Sequence, residues 1–244
     1  MIVVRVPSTQ VQNNFGKYLK FAEANEEIIV TRKGRDIAKI VPCVGPDADR
    51  VMEGAAEYKT SGGWVTYEQY LELVENSEQR FELIDGVIYH LASPSYKHQY
   101  AVHELHGAFY NWFKGKSCTP LTSPFDITFR KAEDNICVVQ PDIVVICDRD
   151  NRNDRDRYMG VPTLAVEVLS PSTRGKDMVK KLDLYMQCGV KEYWVVDPAN
   201  ESIMVHQLAD GDIENSVTYL ASAGHIACSY YFDGLQVALQ DLFG

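Results

Sequence analysis

Leu164-Ala165-Val166-Glu167-Val168-Leu169-Ser170 sets a carboxylate in the middle of a short apolar, β-branched run. Gln140-Pro141-Asp142-Ile143-Val144-Val145-Ile146 sets a second carboxylate at the head of a similar run. Apolar stretches this short and this rich in valine and isoleucine read as buried strands. A carboxylate there loses its hydration, which is costly unless a cation or hydrogen-bond donors compensate it. Two carboxylates offered by neighbouring strands make a site for a hard divalent cation such as magnesium. Lys181, fourteen positions beyond Glu167, adds a positive charge and points to hydrolysis of a phosphodiester.

Around these runs the pattern predicts a helix from about Thr173 to Cys188, closed by Gly189, and a strand from Glu192 to Val196. Upstream, Asp85-Gly86 between Arg80–Ile84 and Val87–Tyr89 reads as a β-hairpin. A helix is expected from about Ser95 to Phe113, with Val102, Leu105, Phe109 and Trp112 facing inward. Strands near Phe125–Phe129 and Val138–Ile146 complete an α-β-β-β-α-β order from Ser95 to Asp197. Asp148–Arg157 reads as an exposed charged loop, and Tyr193-Trp194 as core or as a base-stacking platform. Thr66-x-x-Gln69 matches a capping box that starts a short helix.

The 244 residues, 45% of them apolar, suffice for one large domain or a small one joined to a medium one. No stretch of 18 uninterrupted apolar residues is present, so no membrane partner is expected. The amino terminus lacks the pattern of a signal peptide, and the expected location is the cytoplasm. Six scattered cysteines without a Cys-x-x-Cys pair read as reduced, mostly buried thiols. The net charge of −10 is uneven: residues 1–45 carry seven basic against four acidic side chains, a surplus of +3 that leaves −13 for the remainder. Such asymmetry suggests two modules with different partners.

Residues 1–45 read as one unit: a strand over Ile2–Val6, a helix capped by Ser8 or Thr9 with Val11, Phe15, Leu19 and Ala22 on one face, and strands over Ile28–Arg32 and Ile37–Val41. Residues 46–63 read as a linker, and 64–244 as the larger domain.

From Trp64 onward the chain resembles the Uma2-family endonucleases of the PD-(D/E)xK superfamily. The resemblance rests on Phe81-Glu-Leu-Ile-Asp-Gly86, Ser93-Pro-x-x-x-His98, Gln140-Pro-Asp142, Val166-Glu-Val-Leu-Ser-Pro-Ser-Thr173, Lys181-Leu-x-Leu-Tyr185 and Gly189-Val-x-Glu-Tyr-Trp-Val-Val-Asp-Pro198. It implies an α/β (α+β) fold, a restriction endonuclease-like mixed sheet with an α-β-β-β-α-β core, and a Mg2+- or Mn2+-dependent endonuclease acting on DNA. By the same resemblance Asp142 and Glu167 bind the metal, with the backbone carbonyl of Val168 as a further ligand. The superfamily lysine two positions after the glutamate is Leu169 here, and Lys181 takes its place, with Lys180 as the alternative. Glu82 and His98 are matched positions that position metal or substrate.

The amino-terminal unit resembles the Phd/YefM antitoxins over Val4–Thr9, Asn13-Asn14-Phe15, Leu19, Glu27–Gly34 and Ala38–Pro42. That implies a small α+β module that dimerises and contacts DNA through Arg5, Gln12 and Lys17, or one that only dimerises. A homodimer or higher homo-oligomer is the expected assembly. Two further readings stay open: a catalytically inactive DNA-binding regulator that keeps the nuclease fold as scaffold, and RNA as substrate. The opposition of +3 to −13 also suggests that the first unit restrains the second.

Overall fold

The larger unit is organised by the alternation of side chains along one strand, β10 below. The computed structural model describes residues 3–13, 15, 18, 27–32, 34–40, 64–153, 157–170 and 176–243. Its contacts divide the chain into two units, Met1–Met52 and Glu53–Gly244.

In the first unit β1 (Val3–Pro7) lies parallel to β2 (Glu27–Arg32), which pairs antiparallel with β3 (Arg35–Ile40). A helix, α1 (Ser8–Asn13), follows β1 directly. Val6, Val11, Tyr18, Ile28 and Val30 form its small core. Phe15, expected on the inward face, is 52% exposed instead. Val11 and Tyr18 are the residues of this stretch that enter the core in its place. The expected linker and the predicted contribution of Leu19 and Ala22 lie outside the described residues.

In the second unit Thr66 caps α2 (Tyr67–Glu75) through the expected box with Gln69. The hairpin β4 (Phe81–Ile84) and β5 (Val87–His90) turns at Asp85 and Gly86, both with positive φ (48° and 69°), the conformation that makes Asp-Gly a hairpin signal. The long helix α3 (Tyr96–Phe113) is capped by Ser95. Then come β6 (Thr119–Thr122), β7 (Ile127–Arg130), β8 (Ile136–Val139), β9 (Ile143–Ile146) and β10 (Leu164–Val168). A π-helical turn over Lys176–Lys181 leads into α4 (Leu182–Cys188), which ends at Gly189 in the left-handed conformation. The chain closes with β11 (Glu192–Asp197), β12 (Ser202–Ala209), β13 (Asp212–Leu220), the two-stranded ribbon β14 (Ile226–Cys228) and β15 (Gln236–Ala238), and α5 (Leu239–Phe243).

The main sheet has the order β13-β12-β11-β10-β9-β6, and a second sheet the order β5-β4-β8-β7. Only the β10–β11 neighbours of the main sheet run parallel, and a parallel pair needs a crossover. The segment ending in α4 supplies it. Within the main sheet the chain order α3, β6, β9, β10, α4, β11 is the expected α-β-β-β-α-β, but β6 takes the first strand position. The strand predicted near Phe125–Phe129 is β7, in the second sheet. The run read as one strand over Val138–Ile146 is two, β8 and β9, in different sheets. Pro141 has no N–H for a ladder, and the Gln140 N–H is taken by the Glu82 carboxylate at 2.8 Å.

Leu164, Val166 and Val168 of β10 pack with Leu105, Phe109 and Phe113 of α3, while Ala165 and Leu169 join Tyr185, Tyr193 and Phe129 on the other face. Glu167 therefore points to the second face, among α4 and the second sheet. Tyr193 and Trp194 are fully buried, which settles them as core. Glu192, also buried, accepts from the Trp194 indole and from the Tyr230 and Tyr231 N–H groups, pinning the carboxy-terminal loop. Cys118 and Cys147 form a disulfide, against the expectation of reduced thiols. They sit one step beyond the β6–β9 pair Thr119–Ile146, a proximity that sheet register creates across a separation of 29 residues. No helix among the described residues is long and apolar enough to cross a membrane.

Candidate active site

The β9–β10 register pairs Val145 with Leu164, Val144 with Ala165 and Ile143 with Val166. One step further it sets Asp142 across from Glu167. Asp142 Oδ2 accepts the Val168 N–H at 2.8 Å and stands 3.4 Å from His98 Nε2. Asp142 and Glu167 thus share one end of a strand pair.

Glu167, 3% exposed, accepts from Lys181 Nζ at 2.7 Å and from the Tyr185 hydroxyl at 2.8 Å, both on Oε1. Lys181 Nζ also lies 2.8 Å from Glu82 Oε1 and 3.6 Å from Asp177. Glu82 reaches this cluster from β4, where its other oxygen meets Lys176 Nζ at 2.5 Å. Lys180 turns away and bonds the Tyr89 hydroxyl. Of the two candidate lysines only Lys181 enters the cluster.

Lys176 and Asp177 escaped the sequence reading. On an α-helix Lys176 and Lys181 would point about 140° apart; the i→i+5 turn brings residues five apart onto one side. The only sequence signal was the i, i+4 spacing of Asp177 and Lys181. Nothing in the local sequence announces the π-turn.

One ammonium shared by two carboxylates leaves them in different states. Burial alone would raise the Glu82 pKa, yet Lys181 and Lys176 outweigh it and bring it down to about 2. For Glu167 burial dominates; Lys181 opposes it, but Asp177, Asp142 and Glu82 add repulsion, and the pKa rises well above the usual carboxylate range. Burial would lower the His98 pKa, but Asp142 and the Val168 carbonyl turn the balance upward.

The Glu82 shift has a consequence for acid stability. A carboxyl whose folded pKa lies below its unfolded value stabilises the fold above the unfolded pKa and ceases to as pH falls through the folded one. The larger unit should therefore lose on the order of 3 kcal/mol between pH 4.5 and pH 2. Glu82→Gln should flatten that limb of the stability–pH curve measured by urea unfolding; an unchanged limb would assign the acid loss elsewhere.

His98, Asp142, Glu167, Lys176, Asp177 and Lys181 line a cleft of about 760 Å³, with Arg80, His90, His103 and His106 further along its walls. Among the described residues four carboxyl groups, those of Asp142, Glu82, Glu167 and Asp177, share this cluster with Lys176, Lys181 and His98. The Asp142 carboxylate, the Glu167 carboxyl and the Val168 carbonyl are hard oxygen donors, the kind a divalent cation such as magnesium takes. Among the described residues no three His, Cys, Asp or Glu side chains form a closed ligand cage. Magnesium, bound through one or two carboxylates and keeping several waters, does not require one.

The remaining candidates belong to the first unit. Arg5 is exposed and 3.3 Å from Asp36. The Gln12 side chain and Lys17 lie outside the described residues.

Comparison with known proteins converges on the larger unit. The profile of the Uma2 family, described as a putative restriction endonuclease, matches residues 67–240. That of the Phd/YefM antitoxins of type II toxin–antitoxin systems matches residues 5–58. An uncharacterized protein of Synechocystis sp., slr1290, is 31% identical over 147 residues, spanning 59% of this chain and 75% of its own. A crystal structure described as a putative nuclease belonging to DUF820, from Anabaena variabilis, is similar with a TM-score of 0.61 at 21% identity, covering 73% of this chain and 97% of that one. The shared fold is a mixed α+β one.

Proposed function

The chain belongs to the Uma2 family, and from that premise we propose that its larger unit is a magnesium- or manganese-dependent endonuclease hydrolysing phosphodiester bonds of DNA. The observation that carries this reading is the facing pair Asp142 and Glu167 in a cluster of four carboxyl groups threaded by Lys181 and Lys176. Asp142, Glu167 and the Val168 carbonyl would hold the cation. When bound, it supplies Lewis acidity toward a phosphate oxygen and lowers the pKa of water.

The protein side chains divide the remaining work. Lys181 directs its N–H donors at Glu82 and Glu167 and lies 3.6 Å from Asp177, so it holds the carboxylates in place. Tyr185 fixes the same Glu167 oxygen. Lys176 lines the cleft with Glu82 as its carboxylate partner and has donors left for a non-bridging phosphate oxygen. His98 sits beside Asp142 and fixes its orientation.

The first unit, by its antitoxin likeness, would dimerise the chain and contact DNA through Arg5, Gln12 and Lys17, or restrain the nuclease. Supercoiled plasmid incubated with the full chain should be nicked with magnesium or manganese and left intact with chelator; RNA offered in parallel tests the substrate. No cleavage under any divalent metal would favour the regulator that uses this fold as scaffold.

A further inference from the structure

With Tyr193 and Trp194 buried, the exposed rings of Tyr96 and Tyr110 stand on α3, the helix whose Gln99, His103 and His106 line the cleft. At about 100° per residue, His106, Gln99, Tyr110, His103, Tyr96 and Tyr100 share an arc of roughly 120° on that helix. Gly107 is the one other residue on the arc. It bears no formal charge, although 24% of the chain is charged. Lys97 and Glu104 fall on the flank beyond Tyr100.

Two observations give this face a chemical direction. Tyr96 is 81% exposed, and its ring stacks on Tyr100 with centroids 6.0 Å apart and planes 25° from parallel. Gln99, His103 and His106 line the same cleft as the carboxylate cluster, with Arg80 and His90 contributing further nitrogen groups. The acidic residues among the described cleft lining are Asp142, Glu167 and Asp177, all in the cluster. A chain of net charge −10 has thus kept acids away from this stretch of wall, where a polyanion meets N–H donors.

We propose that this arc of α3 seats an unpaired nucleic-acid strand running toward the Asp142–Glu167 cluster, an inference that rests on the phosphodiesterase reading of that cluster. Bases stack on the Tyr96–Tyr100 rings, which requires their π-faces to be free of a duplex. Gln99, His103 and His106 donate to phosphates or base edges. From Tyr96 to Tyr110 the helix runs about 21 Å, enough for several nucleotides. A duplex cannot offer its bases to these rings without opening.

Fluorescence anisotropy in chelator, where nothing is cleaved, tests the seat separately from the chemistry. The full chain carrying Asp142→Asn serves as host, titrated onto a labelled single-stranded oligonucleotide and onto its duplex. Adding Tyr96→Ala and Tyr100→Ala should weaken single-strand binding about tenfold or more and leave duplex affinity unchanged. The duplex arm accounts for DNA contact by the first unit. Both rings are outside the hydrophobic core, and an unchanged melting midpoint checks the fold. Unaltered single-strand affinity, or equal loss on both ligands, overturns the seat. Failure of the wild type to nick plasmid would remove the nuclease reading without touching this result.

Discussion

Asp142→Asn should lower metal-dependent nicking by about 10³-fold or more while leaving the fold intact. Removing a single preorganised group that stabilises transition-state charge commonly costs ~10²–10³ in rate, and here the lost charge would also weaken retention of the cation. Asparagine keeps the shape and an oxygen that can accept the Val168 N–H, now held at 2.8 Å. Loss of rate would therefore report loss of charge at this point, not collapse of the β9–β10 end. The measurement is initial nicking rate against manganese concentration, with circular dichroism on the same samples. If the variant retains more than a tenth of the wild-type rate at saturating metal, Asp142 is not a ligand of the reacting centre.

The two carboxylates were legible in the sequence because a charge set in a β-branched run has few inexpensive explanations. β10 and β11 read directly from their runs, as did the Asp-Gly hairpin that carries Glu82 toward the cluster. What the sequence concealed depends on pairing and on helix pitch. Pro141 marked a break in the Val138–Ile146 run, yet the sheet each half would enter depends on partners distant in the chain. The Cys118–Cys147 contact has the same origin, since it follows from the β6–β9 register. Lys176 joins the cluster only through a π-turn, and no residue pattern distinguishes that turn from an ordinary helix start. In the first unit the strand pattern was plain, but helical spacing alone could not decide between Phe15 and Tyr18 as the buried ring.

Lys181→Met should destabilise the larger unit by about 3–5 kcal/mol, the usual cost of removing one partner from a buried ion pair. The methionine preserves most of the aliphatic stem, so the loss falls on the charge. Glu82 and Glu167, 0% and 3% exposed, would then face each other and Asp177 with Lys176 as the remaining ammonium of the cluster. In a chain of this size the unfolding midpoint should drop by roughly 6–20 °C. Two further results would separate charge balance from packing. Saturating magnesium should raise the midpoint of Lys181→Met more than that of the wild type, because a cation binding only the folded form stabilises it by mass action and the variant has one positive charge fewer among its carboxyl groups. Adding Glu167→Gln should restore part of the stability, a non-additive pair expected of residues in direct contact. The double variant would still fail to nick plasmid, since the cation would have lost a charged ligand. Should Lys181→Met melt with the wild type in chelator, Lys181 does not hold this cluster together, and its donors are free for the substrate instead.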